Sequence, residues 1–188
     1  MNWQTLVIGS FTQPREVARQ LIGLNPPLNA RWQAMILLSV VSTLMTSATI
    51  YLAGPDTLLG PNDPSGPFVS TLIELGINIL AALLVTGLGQ LAGGQGRFAD
   101  ALLLLAWVQF VLLLWQIPQC LALIVAPPLF LPLVSFGIVL LFWLLTQFTT
   151  ALHGFASPLR VFFTILGVFF LFGAALSPLL QPMFTTTG

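Results

Sequence analysis

A chain of 188 residues suits a single domain, and 57% of its residues are hydrophobic while only 5% are charged. So few charges cannot solvate the surface of a water-soluble domain, in which roughly a quarter of residues are charged, and lipid must be the solvent for most of this one. The formal net charge is zero with no basic or acidic run, which leaves no electrostatic footprint for nucleic acid.

All five basic residues are arginine, a composition that points to a GC-rich bacterial gene. The single cysteine, Cys120, lies in an apolar run, so neither a disulfide framework nor a paired metal motif is expected. The first apolar run begins near Arg31, too late and too long for a signal peptide, and no small-residue cleavage site follows it.

Residues 1–30 precede the membrane as a cytoplasmic segment, and residues 31–188 form the membrane domain. Within the first segment Pro14 to Gly23 reads as a short amphipathic helix, with proline in the first turn and glycine as the stop. Val17, Ala18, Leu21 and Ile22 fall on one side; Arg15, Glu16, Arg19 and Gln20 fall on the other. Such a helix either lies in the headgroup region or packs on the protein's own loops. Asn25-Pro26-Pro27 breaks it, and Asn29 is placed to cap the next helix.

Span one is expected over Arg31 to Ala53, with Arg31, Trp32 and Tyr51 as interface anchors. Ser39, Ser42, Thr43, Thr46 and Ser47 give it a small, hydroxyl-bearing face suited to close helix contact. Gly54 to Pro67 reads as an exposed turn region. Span two follows over Phe68 to Leu91 and span three over Ala99 to Val125, with a kink expected at Pro118. Pro127-Pro128 turns the chain into span four, Leu129 to Leu152, and His153 to Pro158 links it to a phenylalanine-rich span five, Leu159 to Leu180. The fold class is therefore all-α, a polytopic membrane protein of five spans preceded by a short amphipathic helix. Five spans put all five arginines on one side, which reads as N-terminus cytoplasmic and C-terminus periplasmic, in a bacterial inner membrane.

Glu74 is the sharpest candidate for chemistry. Thr71, Asn78, Ala81, Ala82, Val85 and Gly89 lie within roughly 80° of it on one small, polar helix face. An acid at that depth must face protein or water. It is either a proton or cation site, a subunit contact, or a hydrogen-bonded clasp made with Asn78 or a hydroxyl of span one. Gly93, Gly94 and Gly96 precede Arg97 and the start of span three. Backbone amides there could hold a phosphate, such as a lipid headgroup beside Arg97, but a tight turn needing positive φ explains the glycines more economically. Asp100 is expected to favour the N-terminus of span three and to be neutralised by Arg97. Gln109, Gln116, Gln119 and Gln147 read as interhelical glue, and His153 as a lone interfacial residue. The sequence has no HExxH, no GxSxG elbow and no magnesium-holding aspartate cluster, so an enzyme, a cofactor and a metal site are not expected.

The chain resembles the Yip1 family of integral membrane proteins. The resemblance rests on FTQPREVARQLIG (Phe11 to Gly23), five closely spaced spans, the bend GGQGRFADAL (Gly93 to Leu102) and the proline-bearing third span. It implies a five-helix membrane domain and, in eukaryotic members, work in vesicle trafficking through small GTPases and partner membrane proteins. Those members carry an extended cytoplasmic N-terminal region where this chain has about thirty residues, so GTPase binding does not carry over; nor does the resemblance bring catalytic residues. The expected function is a non-enzymatic protein that organises or recruits membrane partners or self-associates. The alternatives are a small transporter or proton-coupled channel using Glu74, and an accessory subunit of a larger complex.

Overall fold

The computed structural model describes residues 3–53 and 66–185, and the side chains of these as far as Ala174. The turn region expected over 54–67 lies almost wholly outside the described residues. Those residues form seven α-helices: α1 (Trp3–Thr12), α2 (Pro14–Leu24), α3 (Leu28–Ala53), α4 (Gly66–Leu91), α5 (Phe98–Val125), α6 (Phe130–His153) and α7 (Pro158–Thr185). A short 3-10 turn, Pro127–Leu129, joins α5 to α6.

Among the described residues, four segments are long and apolar enough to cross a membrane: Leu28–Ala53, Gly66–Leu91, Phe98–Val125 and Pro127–His153. The apolar stretch Pro158–Ala174 opens α7, whose 28 residues make it as long as α5. Helices of this length run about 40 Å against a hydrocarbon core of about 30 Å, which accommodates the five-span reading.

The helix ends have local causes. Pro14 sits in the first turn of α2, and Asn25 closes that helix in the left-handed region at φ 42°, its N–H bonded to Ile22 O. The two prolines after it forbid continuation. α3 starts at Leu28, one residue before Asn29, so Asn29 lies inside the first turn and does not cap it. Arg97 is extended (φ −104°, ψ 146°) and releases the chain into α5, which runs unbroken past Pro118. Gly154, at φ 70°, ends α6.

α5 is the spine. It packs against α3, α4 and α6; α2 lies on α5 and α6, α1 on α2, and α7 on α6. Fully buried Leu102 and Val111 of α5 meet Met35 of α3 and Leu144 and Phe148 of α6 in one continuous core. α4 buries only Ala82, Thr86 and Gly89, the small residues that allow close approach, and turns Leu72, Ile73, Ile77, Leu80 and Leu83 outward. In water such a surface would be an aggregation patch; here it is the lipid belt. α2 is the short amphipathic helix, burying Val17, Ala18 and Leu21 and exposing Glu16, Arg19 and Gln20.

α1 is a helix that periodicity did not foretell. WQTLVIGSFT has no charge and no polar face, yet Leu6 and Ser10 are buried. Gly9 lets it approach α2, because a Cβ there would overlap Val17 Cγ2.

Candidate functional site

Polar side chains join the helices at two levels. Near the middle of the bundle, Glu74 of α4 accepts from both neighbours: Thr43 Oγ1 of α3 donates to Oε2 at 2.9 Å and Gln109 Nε2 of α5 donates to Oε1 at 2.6 Å. Thr43 and Gln109 are buried, and Asn78 Nδ2, one turn along α4, donates to Gln109 Oε1 at 3.4 Å. The clasp thus ties three helices. The hydroxyl partner from span one is the kind the sequence implied. Thr71 is not drawn in: its hydroxyl donates to Pro67 O at 2.8 Å on its own helix.

The second level is the end of the bundle that carries Arg31 and Arg97. There α4 closes in a Schellman motif, with Gly94 N–H bonded to Gly89 O, Gly93 N–H bonded to Gln90 O, and Gly93 at φ 86°. Among Gly93, Gly94 and Gly96, only Gly93 has the positive φ expected for the turn. Gly94 and Gly96 are required for a different reason. A Cβ at either, or at Gly89 of α4, would overlap His153, the last residue of α6.

The imidazole is a peg in a glycine cradle. Gly96 N–H donates to Nδ1 at 3.1 Å, which makes Nδ1 the acceptor, so Nε2 carries the proton and donates to Val85 O at 3.0 Å. Phe155 stacks on the ring at 5.3 Å, and Gln90 Nε2 donates to Gly96 O at 2.9 Å. A second proton, on Nδ1, would face the Gly96 N–H and break the latch. His153 is therefore not the lone interfacial residue expected: it is 5% exposed and binds α4, the loop and α6 together. The sequence signal was the cluster Gly89, Gly93, Gly94 and Gly96, four glycines within eight positions, but nothing in it pointed to a histidine 57 positions beyond Gly96.

Asp100 also differs from expectation. Its partner is Arg31 of α3, at 2.6 Å, and not Arg97. Arg31, only 3% exposed, spends its other nitrogens on Pro26 O and Asn25 Oδ1, both at 2.9 Å. It is a clip between the α2–α3 connection and α5, not a headgroup anchor. A cleft of about 290 Å³ opens beside it, lined in part by Asn25, Arg31, Arg97 and Asp100, with Arg97 exposed at its rim.

The glutamines serve as interhelical ties. Gln116 donates to Thr46 Oγ1 at 3.4 Å and Gln119 to Leu133 O at 3.2 Å, while Gln147 Oε1 accepts from Arg15 Nε at 2.6 Å. Cys120 Sγ lies 3.0 Å from Thr49 Oγ1. Among the described residues, no group of three or more His, Cys, Asp or Glu is placed to share a metal ion.

No curated protein matches the chain, and no solved structure does. A family model, the Yip1 domain, matches residues 8–177, from within α1 into α7. It covers both the Glu74 clasp and the His153 latch. The chain belongs to the Yip1 family of membrane proteins.

Proposed function

We propose that this protein is a non-enzymatic organiser of other membrane proteins, acting by lateral helix contact in a bacterial inner membrane. The observation that carries the reading is α4, which fully buries only Ala82, Thr86 and Gly89 and leaves a long apolar face toward the membrane. Such a face suits a partner helix or a second copy of this chain. The Glu74 clasp supports it, since both carboxylate oxygens are held by neighbouring helices of the same chain. A transporter would need Glu74 to exchange those partners during a cycle, and an accessory subunit would share the lateral contact proposed here.

The direct test is crosslinking in native membranes followed by purification in mild detergent. A stoichiometric membrane partner or a defined homo-oligomer is the expected result. A strict monomer with no crosslinked species refutes the proposal. In this reading the arginine-bearing end, with the N-terminus and the Arg97 loop, faces the cytoplasm, and the C-terminus is periplasmic. A reporter fused after Gly188 should be active only in its periplasmic form; cytoplasmic activity overturns the orientation.

A further inference from the structure

We infer that α1 is embedded in one leaflet of the bilayer, an insert on the flank of α5 whose outer face meets lipid acyl chains. Two contacts set its depth. The bond from Gly96 N–H to His153 Nδ1 puts the start of α5 and the end of α6 at a common level. Trp107 lies ten residues beyond Arg97, about 15 Å further into the bundle, and Gln147 lies six residues before His153, about 9 Å in. α1 is held at the deeper mark: Trp107 Nε1 donates to Ser10 Oγ at 2.9 Å, and the Trp107 ring stacks on Trp3 at 5.9 Å. α2 is held at the shallower one, through Arg15 and Gln147.

The exposed groups follow the same order. α2 turns outward Glu16 and Arg19, paired with each other at 3.2 Å with side chains 52% and 65% exposed. Charges that open must sit among headgroups and water. α1, about one helical turn deeper, has no charged residue and exposes Trp3, Ile8 and Phe11 at 64%, 65% and 40%. Two of its three hydroxyls bond within the helix. Ser10 Oγ donates to Leu6 O and Thr12 Oγ1 to Ile8 O, while Gln13 N–H continues the ladder to Gly9 O. The acyl chains are the occupant because this face continues the lipid belt of the spans on the membrane side of the Glu16–Arg19 row. The N-terminal segment is then part of the membrane body, and it broadens the bundle in one leaflet alone.

The test uses the full chain with Cys120→Ser, carrying Ile8→Cys, Thr5→Cys, Gln20→Cys or, as a lipid-facing standard on α3, Leu37→Cys, whose parent side chain is 64% exposed. Each is spin-labelled in proteoliposomes and its collision rates with oxygen and with a water-soluble nickel chelate are compared. The expected result is that positions 5 and 8 match position 37, reached by oxygen and shielded from nickel, with the ratio reversed at position 20. Nickel access at positions 5 and 8 equal to that at position 20 places α1 in water and overturns the inference. Shielding of 5 and 8 from both reagents means that protein covers α1, and overturns it as well.

Discussion

Replacing Gly89 by alanine should change sign according to what residue 153 is. In the intact protein the added Cβ overlaps the His153 ring, with three ring atoms as its nearest neighbours. The ring must move, and moving it breaks the bonds to Gly96 N–H and Val85 O. Overpacking costs about 1–3 kcal/mol and a buried donor left unpaired about 1–3 kcal/mol, whereas alanine in place of helical glycine returns about 1 kcal/mol. The net loss is about 3 kcal/mol. With His153→Ala already present, the ring is gone and only the helix gain remains, so Gly89→Ala should be neutral or stabilising by up to about 1 kcal/mol.

Gly93 supplies the control. Its Cβ would meet nothing within 4 Å, but its φ is 86°. Gly93→Ala should cost about 1–2 kcal/mol through backbone strain in either background. The assay is a double-mutant cycle on unfolding free energy, read by denaturant titration in mixed micelles. A coupling of about 3–4 kcal/mol for Gly89 with His153, and none for Gly93 with His153, is the expected pattern. Equal penalties for Gly89→Ala with and without the histidine would refute the cradle.

Asp100→Ala leaves the buried Arg31 charge without its carboxylate and should cost about 3–5 kcal/mol; Asp100→Ala with Arg31→Met should recover much of it, measured by the same titration. Glu74→Gln keeps an acceptor oxygen within the clasp and should stay within about 1 kcal/mol of the parent, while Glu74→Ala leaves the Gln109 donor unmatched, Thr43 Oγ1 still reaching Ser39 O, and should cost about 1–3 kcal/mol. If glutamine proves as damaging as alanine, the negative charge itself is needed, and liposome ion flux becomes the assay to run. Gly9→Val should prise α1 from Val17 and raise amide exchange in α1 without affecting α5; unchanged exchange in α1 would count against their close packing.

What the sequence made legible and what it hid divide along physical lines. Apolar runs of twenty or more residues fix spans because lipid tolerates little else, and the hydroxyl face of α3 announced a donor such as Thr43 for Glu74. Periodicity could not reveal α1, because WQTLVIGSFT is uniformly uncharged and a helix without a polar face has no phase to read. Nor could spacing pair Arg31 with Asp100, 69 positions away, or Gly96 with His153, 57 away. Local charge logic offered Arg97 to Asp100 instead. The missed contacts share a role. Between helices in lipid the hydrophobic effect supplies little drive, since acyl chains are as apolar as leucine, so apolar packing alone leaves one helix freer to slide along another. Arg31 with Asp100 pins α3 to α5, Glu74 with Gln109 pins α4 to α5, and His153 with Gly96 and Val85 pins α6 to the α4–α5 turn. Each pin lies on a different pair of elements and together they tie α3, α4 and α6 to the α5 spine. The acid in the membrane interior, Glu74, is bonded into one of these pins through both carboxylate oxygens.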